Sequence, residues 1–150
     1  MATVERRATI EATRRDVWSV LSDFGAISAW APNVDHSCLL SEQVEGVGTT
    51  RRIQTDRSTI VETVREWEAD SMLSYSITGL PPVIRSVVNT WRLEADADAT
   101  RVTLTTEVDA GPRPPQQIVA RLVGKRFASA SDQMIAGLTR HLEQRQQVAA

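Results

Sequence analysis

The last third of the chain carries the longest regular pattern in the sequence. From Pro114 to about Gln147, apolar residues recur at intervals of three and four, which places them along one face of an α-helix. At about 1.5 Å per residue, such a helix is roughly 50 Å long. Its apolar face has to be buried against a large surface elsewhere in the chain. The residues of that face are Val123, Phe127, Ala130, Met134, Leu138 and Leu142.

Strands precede this helix and supply the surface. Two short helices are predicted between the first two strands: one is capped by Thr13 and ends at Gly25, and the other covers 26–31 and is stopped by Pro32. Successive hairpins imply an antiparallel sheet, and helices at two points in the chain make the fold α+β. Alternating polar and apolar residues place the seven strands at 4–11, 34–41, 49–54, 59–67, 72–78, 84–95 and 100–109.

The third and fourth strands are predicted to pair across a two-residue turn at 56–57. This register places Arg51 opposite Glu62, so that the hairpin carries a cross-strand ion pair. The fourth strand is ambiguous, because Val61 and Trp67 have the opposite parity to Glu62. A slip of one residue would turn both charges outward.

The sixth and seventh strands are predicted to pair across a loop at 96–99. In this register the apolar face of one strand meets the apolar face of the other, with Trp91 opposite Leu104. Asn89 then lies opposite Thr106 on the same face. Two independent patterns, the loop position and the alternation, therefore agree on one pairing.

Composition restricts the kind of protein. Apolar residues make up 41% and charged residues 24%, with a formal net charge of −2. These values are typical of a globular domain, and the charge gives no global field that would steer nucleic acid or a membrane surface toward the protein. No run of eighteen apolar residues is present, so we expect no stable membrane insertion. Cys38 is the only cysteine and the start lacks a secretory pattern, so we expect a cytoplasmic protein. We expect one domain over residues 1–150, as a monomer or homodimer.

A series of short motifs extends through nearly the whole chain. They are residues 9–24, Trp30 with Pro32, 46–48 followed by Arg51, Glu62, residues 73–77, and Leu80-Pro81. In order and spacing they resemble the SRPBCC, or START-like, superfamily, which includes polyketide cyclase/dehydrase-like proteins. The resemblance implies a helix-grip fold: a curved seven-stranded antiparallel sheet wrapped around the long C-terminal helix, with an apolar cavity between them. It also implies that loops at 47–48 and 79–82 form the rim of that cavity.

Strand parity, the helix face and the resemblance together indicate the cavity residues. His36 is expected to point inward, where it would suit a general base or a hydrogen bond to a ligand carbonyl, or be satisfied by the backbone. Arg51 and Glu62 would anchor ligand oxygens or only bridge their hairpin. For the aromatic and helix residues the alternative is core packing. The expected ligand-binding set is Trp30, His36, Arg51, Glu62, Tyr75, Leu80, Pro81, Asn89, Trp91, Thr106, Phe127, Ser131 and Met134.

Three functions are compatible with these features. The resemblance implies binding of an apolar or amphipathic small molecule, such as a lipid, isoprenoid or polyketide, between sheet and helix. The second hypothesis is a polyketide aromatase/cyclase or dehydratase, with His36 as the catalytic base and Arg51, Glu62 or Tyr75 polarising a carbonyl. The third is an interaction module with a filled interior. No P-loop, nucleophile elbow or metal-ligand spacing is present, so we expect no metal and no cofactor.

Overall fold

One antiparallel sheet forms the body of the protein, in the strand order β1-β7-β6-β5-β4-β3-β2. The computed structural model describes residues 1–149. The helices are α1 (Arg14–Leu21), a 3₁₀ helix (Phe24–Ala29) and α2 (Pro114–Ala149). The strands are β1 (Ala2–Ile10), β2 (His36–Leu39), β3 (Thr50–Gln54), β4 (Thr59–Glu68), β5 (Met72–Thr78), β6 (Ser86–Asp96) and β7 (Ala99–Asp109). The predicted α+β helix-grip fold is confirmed.

The helices begin where local chemistry favours it. The Thr13 hydroxyl accepts a hydrogen bond of 3.1 Å from the backbone N–H of Asp16, which is the predicted cap of α1. At α2, Pro114 occupies the first helical position, where its missing N–H costs nothing. The side chain of Gln116 accepts from the N–H of Arg113 at 3.0 Å and so satisfies the residue that precedes the helix.

Both predicted hairpin registers are confirmed. Arg51 pairs with Glu62, and Trp91 pairs with Leu104. The turn between β6 and β7 is tighter than the predicted four-residue loop, because Asp96 already pairs with Ala99. Residue 97 of this turn has a φ of 54°, as the sharp reversal of a two-residue hairpin requires.

A β-bulge resolves the ambiguous parity of the fourth strand. The pairing of β4 with β5 shifts between Val64 and Glu66. Before the bulge, Glu62 and Val64 are buried in the core. After it, Trp67 returns to the same side, with its ring centroid 5.1 Å from that of Trp18. Because the bulge adds one residue, Glu62 and Trp67 lie on the same face of the sheet although an odd number of positions separates them.

The helices cover different parts of the sheet. α2 packs chiefly over β1 and β7, whereas the 3₁₀ helix packs against β2 and β3. The two helical layers meet where Gly137 lies directly against the backbone carbonyl of Trp30, with no room for a Cβ atom. The core between the layers includes Val17, Phe24, Ile27, Leu73, Val87, Trp91, Leu104 and Leu138.

Burial changes along α2. In its distal half Met134, Leu138 and Leu142 are buried, whereas Val123 and Phe127 in the first half are only half-buried. The predicted apolar stripe is thus confirmed as core packing at its distal end. Within residues 1–149, no helix combines the length and apolarity needed to cross a bilayer.

Candidate ligand site on the inner face of the sheet

A row of buried polar side chains crosses the inner face of the sheet, beneath the helical layer. It contains one residue from each of five consecutive strands, and each is at most 5% exposed. Such groups are costly to bury unless they are hydrogen-bonded. Three of them are direct cross-strand neighbours, since Tyr75 pairs with Asn89 and Asn89 with Thr106. The row is Arg51, Glu62, Tyr75, Asn89 and Thr106, all of them predicted site residues.

Arg51 and Glu62 form a buried ion pair. Two nitrogens of the guanidinium group, Nε and Nη2, lie 2.8 and 2.7 Å from the same carboxylate oxygen, Oε1. The third nitrogen donates to the backbone carbonyl of Phe24 at 2.8 Å. The guanidinium carbon is also 3.7 Å from the ring centroid of Phe24, a cation–π distance. Burial raises the pKa of Glu62, and the positive charge of Arg51 opposes that effect.

Tyr75 is held by two donors. The indole N–H of Trp91 donates to its hydroxyl oxygen at 3.2 Å, and the amide of Asn89 does so at 3.4 Å. Thr106 donates to Asn89 Oδ1 at 2.6 Å, a length typical of an O–H···O bond, and this contact orients the amide. Because indole and amide nitrogens can only donate, both use the lone pairs of the hydroxyl oxygen.

The proton of the Tyr75 hydroxyl therefore remains available. Among residues 1–149 it has no hydrogen-bond acceptor. Burial raises the pKa of Tyr75, and the nearby charge of Glu62 raises it further. The phenol stays protonated at neutral pH and is a fixed hydrogen-bond donor inside the protein.

Trp30 lies between the inner face and a separate surface cleft. Its ring centroid is 6.0 Å from that of Trp91, and its buried Nε1 has no hydrogen-bond partner in residues 1–149. The cleft has a volume of about 290 Å³ and lies between α1, the 3₁₀ helix and the distal part of α2. Of the predicted ligand-binding residues, only Trp30 lines it. The lining residues are Ser19, Val20, Asp23, Ala26, Ala29, Trp30, His141 and Arg145.

The predicted inward orientation of His36 is wrong. In β2 the residues His36 and Cys38 are exposed, whereas Ser37 and Leu39, which alternate with them, are half-buried. Val34 is buried but lies before the strand, so it does not indicate which face of β2 points inward. The inward face is set by Ser37, whose hydroxyl donates to the carbonyl of Gly25 in the 3₁₀ helix at 2.8 Å. His36 lies outside the site and has no position from which to act as its base.

The other predicted residues lie around the row. Ser131 and Met134 of α2 are buried, and Leu80 and Phe127 are half-buried at the edge of the core. Pro81 is exposed in the loop before β6. Phe24 was missed as a site residue, because its pattern indicates only an apolar residue of the first helix. In the structure its carbonyl and its ring both contact Arg51.

Comparisons with known proteins agree with this architecture. The family model described as polyketide cyclase/dehydrase and lipid transport matches residues 1–143. No curated protein sequence matches the chain.

Solved structures with the same fold include the ZhuI aromatase/cyclase from Streptomyces sp. R1128, with a TM-score of 0.80, 19% identity, and coverage of 99% of this chain and 98% of that one. The di-domain aromatase/cyclase StfQ of the steffimycin biosynthetic pathway also has a TM-score of 0.80, at 11% identity over 97% of this chain and 51% of its own. A protein from Thermobifida fusca has a TM-score of 0.72 at 24% identity, over 87% and 85% of the two chains.

At these identities the structural matches establish the fold, and the family assignment comes from the sequence match. That match covers almost the whole chain, and it confirms the resemblance to the START-like superfamily. The chain belongs to the polyketide cyclase/dehydrase and lipid transport family.

Proposed function

We propose that the protein binds an apolar or amphipathic small molecule that carries a carbonyl oxygen, on the inner face of the sheet beneath α2. The observation that carries the proposal is the Tyr75 hydroxyl, a buried donor whose own proton has no acceptor within residues 1–149. A buried donor left unpaired costs about 1–3 kcal/mol, which a ligand oxygen placed there would recover. Lipids, isoprenoid quinones and polyketides all combine such an oxygen with a large apolar body.

The surroundings of Tyr75 suit the rest of such a ligand. Leu73 and Ile77 of β5 and Leu104 of β7 are buried on the same face. Because Tyr75 is 1% exposed, entry requires a movement of the rim, and the half-buried Leu80 and Phe127 are the side chains we assign to it. Residues 1–150 then act as one ligand-binding domain.

The wider setting of this binding protein is also part of the proposal. A single cysteine and a nearly balanced charge support a cytoplasmic monomer or homodimer that binds no nucleic acid.

A second candidate function is catalysis in the same place. The names of the two aromatase/cyclases with this fold, together with the family description, favour a polyketide aromatase/cyclase or dehydratase. In that case Tyr75 donates to a ketone oxygen and thereby acidifies the neighbouring C–H, while the inner face holds the chain in a folded conformation. His36 plays no part in this candidate, because it is exposed at the edge of the sheet.

The experiment compares the wild type with Tyr75→Phe, using native mass spectrometry and fluorescence titration. The probes are a long-chain ketone, a quinone and an aromatic polyketide, each with an analogue that lacks the oxygen. Loss of one hydrogen bond should weaken binding of the oxygenated probe about tenfold and leave its analogue unaffected. Thr90→Val is the matched control, since it removes a hydroxyl that pairs with Ser74 on the outer face.

Two results would contradict the proposal. One is an empty protein after exposure to cell extract and to every probe. The other is equal affinity of wild type and Tyr75→Phe for a probe that does bind. Formation of a cyclised or dehydrated product by the wild type, and its loss in Tyr75→Phe, would select the enzymatic candidate.

A further inference from the structure

The outer face of the first half of α2 exposes large apolar side chains. Ile118 is 56% exposed and Leu122 is 58% exposed. They are one helical turn apart and therefore adjacent on the surface. The opposite side of the same turns carries the buried Ala120 and Gly124, which pack toward the sheet. The two aliphatic side chains thus project away from the core.

The same segment has a charge unlike the rest of the protein. Residues 112–131 contain four of the seventeen basic residues and none of the nineteen acidic residues, so the remainder of the chain has a net charge of −6. All four basic side chains are exposed, and none forms an ion pair within residues 1–149. They are Arg113, Arg121, Lys125 and Arg126.

Neighbouring groups do not cancel this charge. Asp132, the next acidic residue, is paired with Arg6 of β1 at 2.9 Å. Asp109 before the helix is half-buried, and its carboxylate accepts from the backbone N–H of Gly111. The first turn of α2 has no acidic residue, so the positive end of the helix dipole adds to the field. The exposed Arg85 adds another cation beside Asp109. The backbone N–H of Arg85 donates to the backbone carbonyl of Asp109 at 2.7 Å.

We propose that this basic apolar face, consisting of Arg113, Ile118, Arg121, Leu122, Lys125 and Arg126, docks on the surface of an anionic lipid bilayer. Aliphatic side chains on a convex helix, surrounded by cations alone, match a plane of anionic headgroups above an apolar layer. An acidic protein would offer the charge but would need a groove shaped to the projecting aliphatics. The inference goes beyond ligand binding and does not depend on it.

The position of this face gives it a use. Val119 and Val123 of the same segment, like Phe127 one turn further on, are half-buried and pack against the core. A bilayer in contact with the basic apolar face therefore lies next to the rim that we assign to the interior site. An amphipathic molecule could pass between the two without crossing bulk water.

The test measures co-sedimentation of the full chain with vesicles of phosphatidylcholine alone and of phosphatidylcholine with phosphatidylserine. We expect binding to the anionic vesicles that weakens as salt is raised, because the Debye length falls from about 10 Å at 0.1 M to about 3 Å at 1 M. Arg121→Gln with Lys125→Gln should lower the partition coefficient about 25-fold, since each charge near the surface contributes roughly fivefold. Ile118→Ser with Leu122→Ser should lower the partition coefficient at least tenfold, because it removes the contribution of on the order of two methylene groups buried in the bilayer.

The matched control is Arg14→Gln with Arg15→Gln, which removes the same charge from exposed positions on α1. It should bind as the wild type does. All substituted side chains are exposed, so circular dichroism should report an unchanged fold.

Three outcomes would overturn the inference. They are failure of the wild type to bind anionic vesicles, equal binding to neutral vesicles, and a loss of binding in the control as large as that in the charge variant. If the protein bound heparin but not vesicles, and if the serine substitutions left heparin binding unchanged, the face would be assigned to an acidic macromolecule instead. Since no ligand is used, a negative result leaves the Tyr75 site untouched.

Discussion

Breaking the buried ion pair between Arg51 and Glu62 should lower the free energy of unfolding. The side chains are 2% and 5% exposed, so neither can recover water when its partner is removed. Arg51→Met leaves a carboxylate in the core, and Glu62→Gln leaves a guanidinium with a neutral acceptor, the carbonyl of Phe24 and aromatic rings. The double variant removes both charges.

The geometry sets the expected magnitudes. Removal of one partner of a buried pair costs about 3–5 kcal/mol, which we expect for Arg51→Met. Glu62→Gln keeps an oxygen near the guanidinium and should cost less, about 2–3 kcal/mol. The double variant should be no less stable than Arg51→Met alone, because the attraction between the charges only offsets the cost of burying them. The coupling energy in the cycle is then at least about 2 kcal/mol.

Urea unfolding followed by fluorescence of the four tryptophans measures these differences. Arg101→Met is the matched control, because Arg101 and Glu94 also pair across strands, at 3.8 Å, but are 51% and 65% exposed. It should change stability by less than about 0.5 kcal/mol. If the losses of unfolding free energy in Arg51→Met and Glu62→Gln simply added in the double variant, the reasoning would be refuted, because two residues that form one buried ion pair must show a coupling energy.

Two further predictions concern the phenol and the helix contact. Tyr75 is the only tyrosine, and its folded pKa lies above the ordinary 10.0, so the native state keeps its proton longer than the unfolded state and stability should fall as pH rises past 10.0. Tyrosinate absorbance should appear only with unfolding; an earlier rise in a folded protein would contradict the buried placement. Gly137→Ala should destabilise the protein by about 1–3 kcal/mol, because the new methyl group meets the Trp30 carbonyl. Ala136→Ser, one residue away and exposed, should leave the urea midpoint unchanged, and equal midpoints for both variants would argue against the close contact.

The fold is predictable from the sequence where alternation is strict and strands are long. The β6 and β7 strands are eleven residues each, so their pattern fixes one register and with it the neighbours of Asn89 and Thr106. The row of polar residues followed directly from that register and from the pairing of Arg51 with Glu62. Its hydrogen bonds did not follow, because they depend on rotamers and on Trp91, which lies sixteen residues from Tyr75.

Local alternation left two features of the sheet undetermined. β2 has four residues, too few for alternation to determine a face, and its orientation is decided by the contact between Ser37 and Gly25. In β4 the alternation of Glu62 disagrees with that of Trp67. The reason is the bulge between Val64 and Glu66, which adds one residue and cannot be recognised from alternation alone. The face of β2 is thus set by a contact between residues twelve positions apart, which local alternation does not report.

The order of the sheet has a consequence for behaviour at high concentration. Its two ends, β1 and β2, each present unpaired backbone groups that another chain could extend. β2 limits this by its length of four residues, which allows few hydrogen bonds to form. β1 has nine residues and carries Glu5, Arg6 and Arg7 in succession, and charged side chains on an edge strand oppose its pairing with another chain. Resistance to strand-by-strand aggregation therefore depends on residues that have no part in the ligand site.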